Sequence, residues 1–430
     1  MGEQSFLDKN PGSVDPNRRF RKMHQETSPS GSGGSGSNFL DIDMPLVIIV
    51  ACLLTFGLLM VYSASWSFGV VNNLDPSYIL SRQAIWVGVG ILTAFILSRI
   101  DYHKYRMVTV PMVVVVVLML LAVLVLSNTR FGANRTLFGG SVQPSELAKL
   151  ATIIYLSFWL FAKRDQINEF SFGLLPMAFI LGIISGFVFL QPDLSTTFTI
   201  VFLGGLLFFL AGGDYKQIGL VILVVFIIGW IMITISDTGR SRVGAYLSGL
   251  QNPEQASYQI QRSIEAFVRG GWFGSGIGNS ATKESGLPVP WTDSIYAVIG
   301  EETGAFGAAT VLSLYAAFLW RGLAIAQKAP DLLGKLLASG ITFWIVTEAA
   351  INMGVVVNLL PVAGNALPLI SAGGSNLFSV MIGIGILLNI SRQGVKKGIV
   401  TGSGQNAVVD LRWRDRRGRV SRSNRPESHI

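Results

Sequence analysis

The chain is poor in the residues that soluble folds and metalloenzymes rely on. Of its 430 residues only 13% are charged, three are histidine and one is cysteine. With Cys52 alone, no intramolecular disulfide can form, and the redox compartment cannot be read. His24, His103 and His429 all lie outside the apolar runs, which excludes a histidine metal site at membrane depth. Mg2+ or another divalent cation on carboxylates is not excluded, because hard cations take oxygen ligands. No apolar run lies near Met1, so no cleavable signal pattern is read in the first forty residues.

Apolar sequence is what the chain has in abundance. Half of the residues are hydrophobic and the mean hydropathy is +0.52. Such a composition excludes both an ordinary soluble domain and a disordered chain. Ten apolar runs follow one another, at 44–62, 83–98, 107–126, 150–162, 172–190, 196–213, 218–235, 294–320, 336–357 and 377–390. A span needs roughly 20 residues, so the second, fourth and tenth runs must borrow from their flanks. In lipid every backbone polar group has to be satisfied internally, and helices do that within one segment. The expectation is therefore an all-α polytopic membrane protein of about ten transmembrane helices.

Three regions follow from this pattern. Residues 1–42 form a flexible tail ending in the Gly/Ser-rich SPSGSGGSGS, residues 43–393 the membrane domain, and residues 394–430 a basic tail. The even-numbered connections carry Arg99, Lys104, Arg106, Lys163, Arg164, Lys216, Arg321, Lys328 and Lys335, and both tails are basic. By the excess of Lys and Arg in short loops, both termini are expected in the cytoplasm. The long connection 236–292, between the seventh and eighth spans, then faces outward. Nearly all of the net charge of +8 sits at the C-terminus, where ten Lys/Arg and three Asp/Glu follow from Arg392 onward. That tail suits anionic lipid. No folded module accompanies its arginines, so no nucleic acid is expected as a partner.

The 57-residue connection is too long to be a mere link. Within it Ile260, Ile264, Phe267 and Val268 recur at helical spacing and Gly270-Gly271 make a stop. The pattern reads as a short amphipathic helix, lying on the membrane surface or packed on the bundle. GIISG, 182–186, has the small-xxx-small spacing of close helix packing.

Four polar blocks interrupt the apolar sequence. In GANRTLFGGSVQPSELAKL, Pro144 suits a first helical turn, and Glu146 and Lys149 stand three apart, on one helix face. They read either as a structural ion pair or, with Arg135, as the charged wall of a substrate groove that would suit a phosphate. In QPDLSTT, Asp193 is placed to cap the next helix, with a direct substrate role as the second reading. The third block, GNSATKESGLPVPWTDSIYAVIGEETG, sets Asp293 where the long loop meets an apolar helix, with Glu301 and Glu302 beyond it. Acids at that depth face a polar cavity or a partner. On a helix continued from 293, Glu301 lies about 80° from the Asp293 face and Glu302 on the opposite side. Asp293 reads as a helix cap or as a group for proton transfer, which needs access to both substrate and solvent. The fourth block, NLLPVAGNALPLISAGGSN, is an uncharged, irregular segment that must line a cavity or be buried in protein. Glu348, inside the ninth span, needs a partner, with Lys149 and Arg135 as candidates.

Together these blocks resemble the SEDS family (shape, elongation, division and sporulation), which includes FtsW, RodA and SpoVE. LLMVYSAS at 58–65 is similar to the end of the family's first span, and most similar to the FtsW branch. The blocks above, YQIQRSIEAFVRGGWFGSGIGNSATK and TDSIYAVIGEETGAFGA are similar to the family's remaining motifs in order and spacing. The resemblance implies a bacterial inner-membrane glycosyltransferase that polymerises lipid II, the undecaprenyl-diphosphate-linked disaccharide peptide. Its implied partners are a class B penicillin-binding protein and other divisome or elongasome membrane proteins. The family's essential aspartate falls on Asp293, and its cavity charges on Arg135, Glu146, Lys149 and Lys283. Further substrate contacts are expected at Gln143, Ser145, Asp193, Glu301, Ser371, Gly373 and Gly374. Two other functions fit intramembrane acids: a flippase for the same lipid-linked sugar, and a non-catalytic divisome scaffold.

Overall fold

The computed structural model describes residues 42–71, 75, 77–126 and 142–414, and every regular element among them is helical. Residues 1–41 of the expected tail 1–42, Arg135 and the last sixteen residues, 415–430, lie outside the described residues. Twelve α-helices follow in order. They are α1 (Met44–Val71), α2 (Tyr78–Arg99), α3 (Thr109–Leu126), α4 (Pro144–Ala162), α5 (Leu175–Phe189), α6 (Leu194–Leu210), α7 (Tyr215–Ile235), α8 (Asp237–Gln251), α9 (Tyr258–Gly270), α10 (Ile295–Gln327), α11 (Leu332–Val356) and α12 (Gly374–Arg414).

Eight of these are long and apolar enough to cross a membrane, namely α1–α4, α7 and α10–α12. The apolar α5 and α6 are shorter, at 15 and 17 residues, and complete the ten expected spans. A five-residue π-helical turn, Phe170–Leu174, lengthens α5 at its start. The fourth span begins six residues earlier than hydropathy suggests, at Pro144 rather than residue 150. Two charges can enter it because Glu146 and Lys149 neutralise each other inside the bundle.

Starts and stops follow local chemistry. Asp193 caps α6, its Oδ1 accepting from Thr196 N at 3.3 Å, and Asp331 caps α11, accepting from Gly334 N at 2.7 Å. Ser236 caps α8 by accepting from Gly239 N at 3.2 Å. The sequence pattern gives no hint of α8, since DTGRSRVGAYLSGLQ has no apolar stripe, and only Gly239 and Gly249 in it are buried. The expected amphipathic helix is α9. It packs against α10, with Gly270 lying against Gly300, while Ile260 clusters with Val355 of α11 and Val268, expected on the apolar face, is 75% exposed. Bundle packing therefore sets its buried face. The GIISG expectation fails, because a Cβ at Gly182 or Gly186 would meet nothing within 4 Å. The close approach comes instead at Gly204 of α6, against Leu181 of α5.

The bundle is buried most deeply in α4, α11 and α12, whereas the most apolar stretch of α7 has no buried residue among those described. An all-apolar exposed helix is what a lipid-facing position requires. α10 is broken at Gly304, where φ is 69° and ψ −171°. The break frees the carbonyls of Glu301 and Glu302, which accept from Ser275 N at 2.9 Å and Gly276 N at 3.0 Å. In return Ala305 N donates to Gly271 O at 2.9 Å and Phe306 N to Trp272 O at 3.3 Å. A side chain at Gly304 would overlap the Trp272 and Gly274 backbone, so only glycine lets the long connection cross the helix there.

Candidate functional site

At the end of the bundle that carries the long connection, a cavity of about 370 Å3 opens between α4, α6, α10, α11 and the segment before α12. Its walls bring together Gln143, the N-cap of α4, Glu146 and Lys149 within α4, Asp193 and Thr196 at the start of α6, and Thr292 and Asp293 just before α10. Glu348 of α11, Gly364–Ala366 and Ala372–Asn376 complete them. Of the expected site residues, Asp293, Gln143, Glu146, Lys149, Asp193, Gly373 and Gly374 thus share one cavity although they are spread over 232 positions of chain.

Lys149 is buried and lies between two carboxylates. Its ammonium stands 2.8 Å from Glu146 Oε2, pairs also with Glu348, and lies 5.8 Å from the centre of the Trp344 ring. Asn376 completes the cluster, donating to Glu146 Oε2 at 2.8 Å and to Glu348 Oε2 at 3.4 Å. The structural-pair and cavity-wall readings of Glu146 and Lys149 therefore hold together. Glu348 takes Lys149 as its partner, across 199 residues of sequence.

Asp193 plays two parts as well. Besides capping α6 it accepts from Ser195 at 3.1 Å, from Thr196 Oγ1 at 3.0 Å and from Ser145 at 3.3 Å. Ser145 is fully buried behind Asp193, and does not reach the cavity surface. Ser371 is also behind the wall: its hydroxyl donates to Thr292 O at 2.7 Å and accepts from Leu367 N at 2.8 Å. Gln83 of α2 fastens the same segment, donating to Ser371 O at 3.1 Å and accepting from Gly373 N at 3.3 Å. Both serines shape the site from outside its surface.

Asp293 is half-buried and stands two residues before α10, whose N-cap is Ser294. Facing it is Gly364, where an added Cβ would sit 3.6 Å from Asp293 Oδ2. A helical wheel that starts at 293 therefore has the wrong phase, and the expectation for Glu301 falls with it. Glu301 does not share the cavity. It accepts from Ala281 N at 3.0 Å, from Thr282 N at 3.3 Å and from the Ser280 and Thr282 hydroxyls, tying the long connection to α10. Lys283 does not line the cavity either. Its ammonium donates to Glu302 at 2.9 Å, to Ser63 at 3.2 Å and to Gly278 O at 2.7 Å. Both partners are buried, and an unpaired charge there would be costly, so the lysine is held by the nearest acid. Glu302 reaches another helix as the sequence suggested, accepting from Ser63 of α1 at 2.6 Å.

Among the described lining residues, four carboxylates (Glu146, Asp193, Asp293 and Glu348) thus face one ammonium, that of Lys149. No three His, Cys, Asp or Glu side chains among the described residues converge as a metal cage requires.

Sequence comparison decides the ancestry of this site. Residues 44–396 match the FtsW/RodA/SpoVE family, described as cell cycle proteins. The chain belongs to this family. It is 36% identical over 375 residues to a probable peptidoglycan glycosyltransferase FtsW of Trichlorobacter lovleyi, covering 84% of this chain and 96% of that protein. Stage V sporulation protein E of Bacillus subtilis is 37% identical over 361 residues, covering 81% and 97%. Among solved structures, a chain of a peptidoglycan synthase complex that coordinates polymerization and crosslinking superposes with a TM-score of 0.68 at 27% identity, covering 83% of this chain and 99% of that one. RodA of Thermus thermophilus superposes at 0.60 with 25% identity, covering 83% and 98%. Family membership and the ten apolar helices make this chain a multi-pass membrane protein.

Within that family frame, Glu348, Asn352, Asn376 and Gln83 are the residues whose role sequence reasoning missed or left open. One signal was available for the first two. Glu348 and Asn352 are polar, four apart and thus on one face of an otherwise apolar span, where polar groups mark a partner or a cavity.

Proposed function

We propose that this protein is a peptidoglycan glycosyltransferase that polymerises lipid II at the outer face of the cytoplasmic membrane, with Asp293 as general base. The observation that carries the reading is one cavity in which Asp293, at the loop boundary, faces the Glu146–Lys149–Glu348 cluster deeper in the bundle. Asp293 takes the proton from the 4-hydroxyl of the acceptor GlcNAc. That oxygen attacks the anomeric carbon of the growing chain with inversion, and undecaprenyl diphosphate leaves. Lys149 is the described cation within reach of the negative charge that develops on the leaving diphosphate. Its two glutamates fix its position. Because the lining is otherwise acidic, a divalent cation acts here as a companion of the substrate's diphosphate, and no step is assigned to a protein-held metal.

The basic short loops support an orientation with both termini in the cytoplasm and the long connection outside. Likeness to a chain of a peptidoglycan synthase complex supports pairing with a class B penicillin-binding protein. The test is polymer formation from purified lipid II by the full chain in liposomes, with and without that partner. Parent activity should fall at least about a hundredfold in Asp293→Asn, the scale of general-base catalysis. Polymerisation by Asp293→Asn at the parental rate would remove the aspartate from the chemistry.

A further inference from the structure

The backbone that carries Asp293 is fastened at three consecutive carbonyls. Trp291 O accepts from Ala372 N at 2.8 Å, Thr292 O from the Ser371 hydroxyl at 2.7 Å, and Asp293 O from Asn352 Nδ2 at 2.9 Å. The third fastening differs from the other two. Asn352 Nδ2 spends its second proton on Asn365 O at 2.6 Å, so one amide group ties Asp293 to the cavity wall that faces it. Gly364, in that wall, has a φ of 70°, and a Cβ added there would lie in van der Waals contact with Asp293 Oδ2, at 3.6 Å.

Asn352 is 3% exposed, on α11, and its Oδ1 is buried without a hydrogen-bond partner among the described residues. A buried acceptor left unpaired is costly; an apolar residue of similar size would remove Oδ1 but leave the Asp293 and Asn365 carbonyls without their donor. The fold keeps the amide nonetheless, and its two donated bonds both end on the walls of the cavity.

We propose that Asn352 is a positioning residue for Asp293, holding the aspartate's peptide at a fixed separation from the 364–366 wall. The inference rests on the reading of Asp293 as the general base. A base displaced by about 1 Å loses on the order of a hundredfold in rate. Lost substrate contacts would instead raise KM.

The test compares Asn352→Leu, which fills the space without donors, and Asn352→Asp, which keeps the shape but loses both donors, with Asp293→Asn and the parent. Each full-length chain is reconstituted in liposomes with its transpeptidase partner and given purified lipid II, and kcat, KM and Tm are measured. Both Asn352 variants should lose about tenfold to a hundredfold in kcat per folded protein, with KM within about twofold of the parent. Parental kcat in either variant overturns the inference, as does a raised KM at unchanged kcat. An activity loss that only tracks the amount of folded protein overturns it too. Should Asp293→Asn polymerise at the parental rate, the functional reading itself fails; should Asp293→Asn be inactive while the Asn352 variants are not, the positioning role alone fails.

Discussion

Replacing Lys149 by methionine should destabilise the protein strongly at neutral pH and weakly in mild acid. The substitution keeps the stem's length but removes the ammonium from between Glu146 and Glu348. Glu348 is 2% exposed, and Lys149 and the Asn376 amide stand beside its carboxylate. Without the lysine, one carboxylate has to stay charged and unpaired or take up a proton. Protonating a glutamate of ordinary acidity costs about 1.36 × (7 − 4.3), or ~3.7 kcal/mol, at pH 7, and about 1.36 × (5 − 4.3), or ~1 kcal/mol, at pH 5. Breaking a buried pair costs about 3–5 kcal/mol, which agrees with the neutral-pH figure. Lys149→Met should therefore lose roughly 4 kcal/mol at pH 7 and roughly 1 kcal/mol at pH 5. Adding Glu348→Gln should recover most of the loss at pH 7, because the stranded charge is gone. Denaturant titration of the detergent-solubilised protein at both pH values measures this. A Lys149→Met protein as stable as the parent at pH 7, or one destabilised equally at both pH values, would refute the account.

Three other outcomes follow from the same physics. Lys283→Met should destabilise the long connection by about 3–5 kcal/mol by stranding Glu302, with Glu302→Gln restoring much of it; denaturant titration of the single and double variants checks the coupling. At the other end of the bundle, burial disfavours the charged form of His103, but hydrogen bonds to Asp101 at 2.8 Å and Asp331 at 2.6 Å outweigh it and raise its pKa. That contribution is full below about pH 6.5 and is lost as pH rises through the higher folded value, so His103→Gln should flatten the decline of Tm on that side. Burial pushes Asp101 up, yet hydrogen bonds from Gln393 and from the His103 backbone and ring bring it down to about 2. Its contribution is present above about pH 3.9 and is lost as pH falls toward 2. A chelator should slow polymerisation, reversibly with Mg2+, and leave the Tm of substrate-free protein unchanged, since no described side chains form a cage.

The ten spans, the long connection and the pairing of Glu146 with Lys149 could all be read from the chain before folding. Apolar length forces helices in lipid, and residues three apart on a helix meet whatever the rest of the fold does. The motif blocks likewise pointed to the elements that wall the cavity, because their polar residues interrupt sequence that is otherwise apolar. Only the tertiary structure chose partners at long range. Lys149 turned to Glu348, Lys283 to Glu302 and Ser63 rather than to the cavity, and Asn352 to the backbone of Asp293. Helical spacing could not supply these, because it relates residues of one helix and each of these contacts joins different elements of the chain. A buried charge or amide binds whatever group lies within about 3 Å of it, and packing alone settles which group that is.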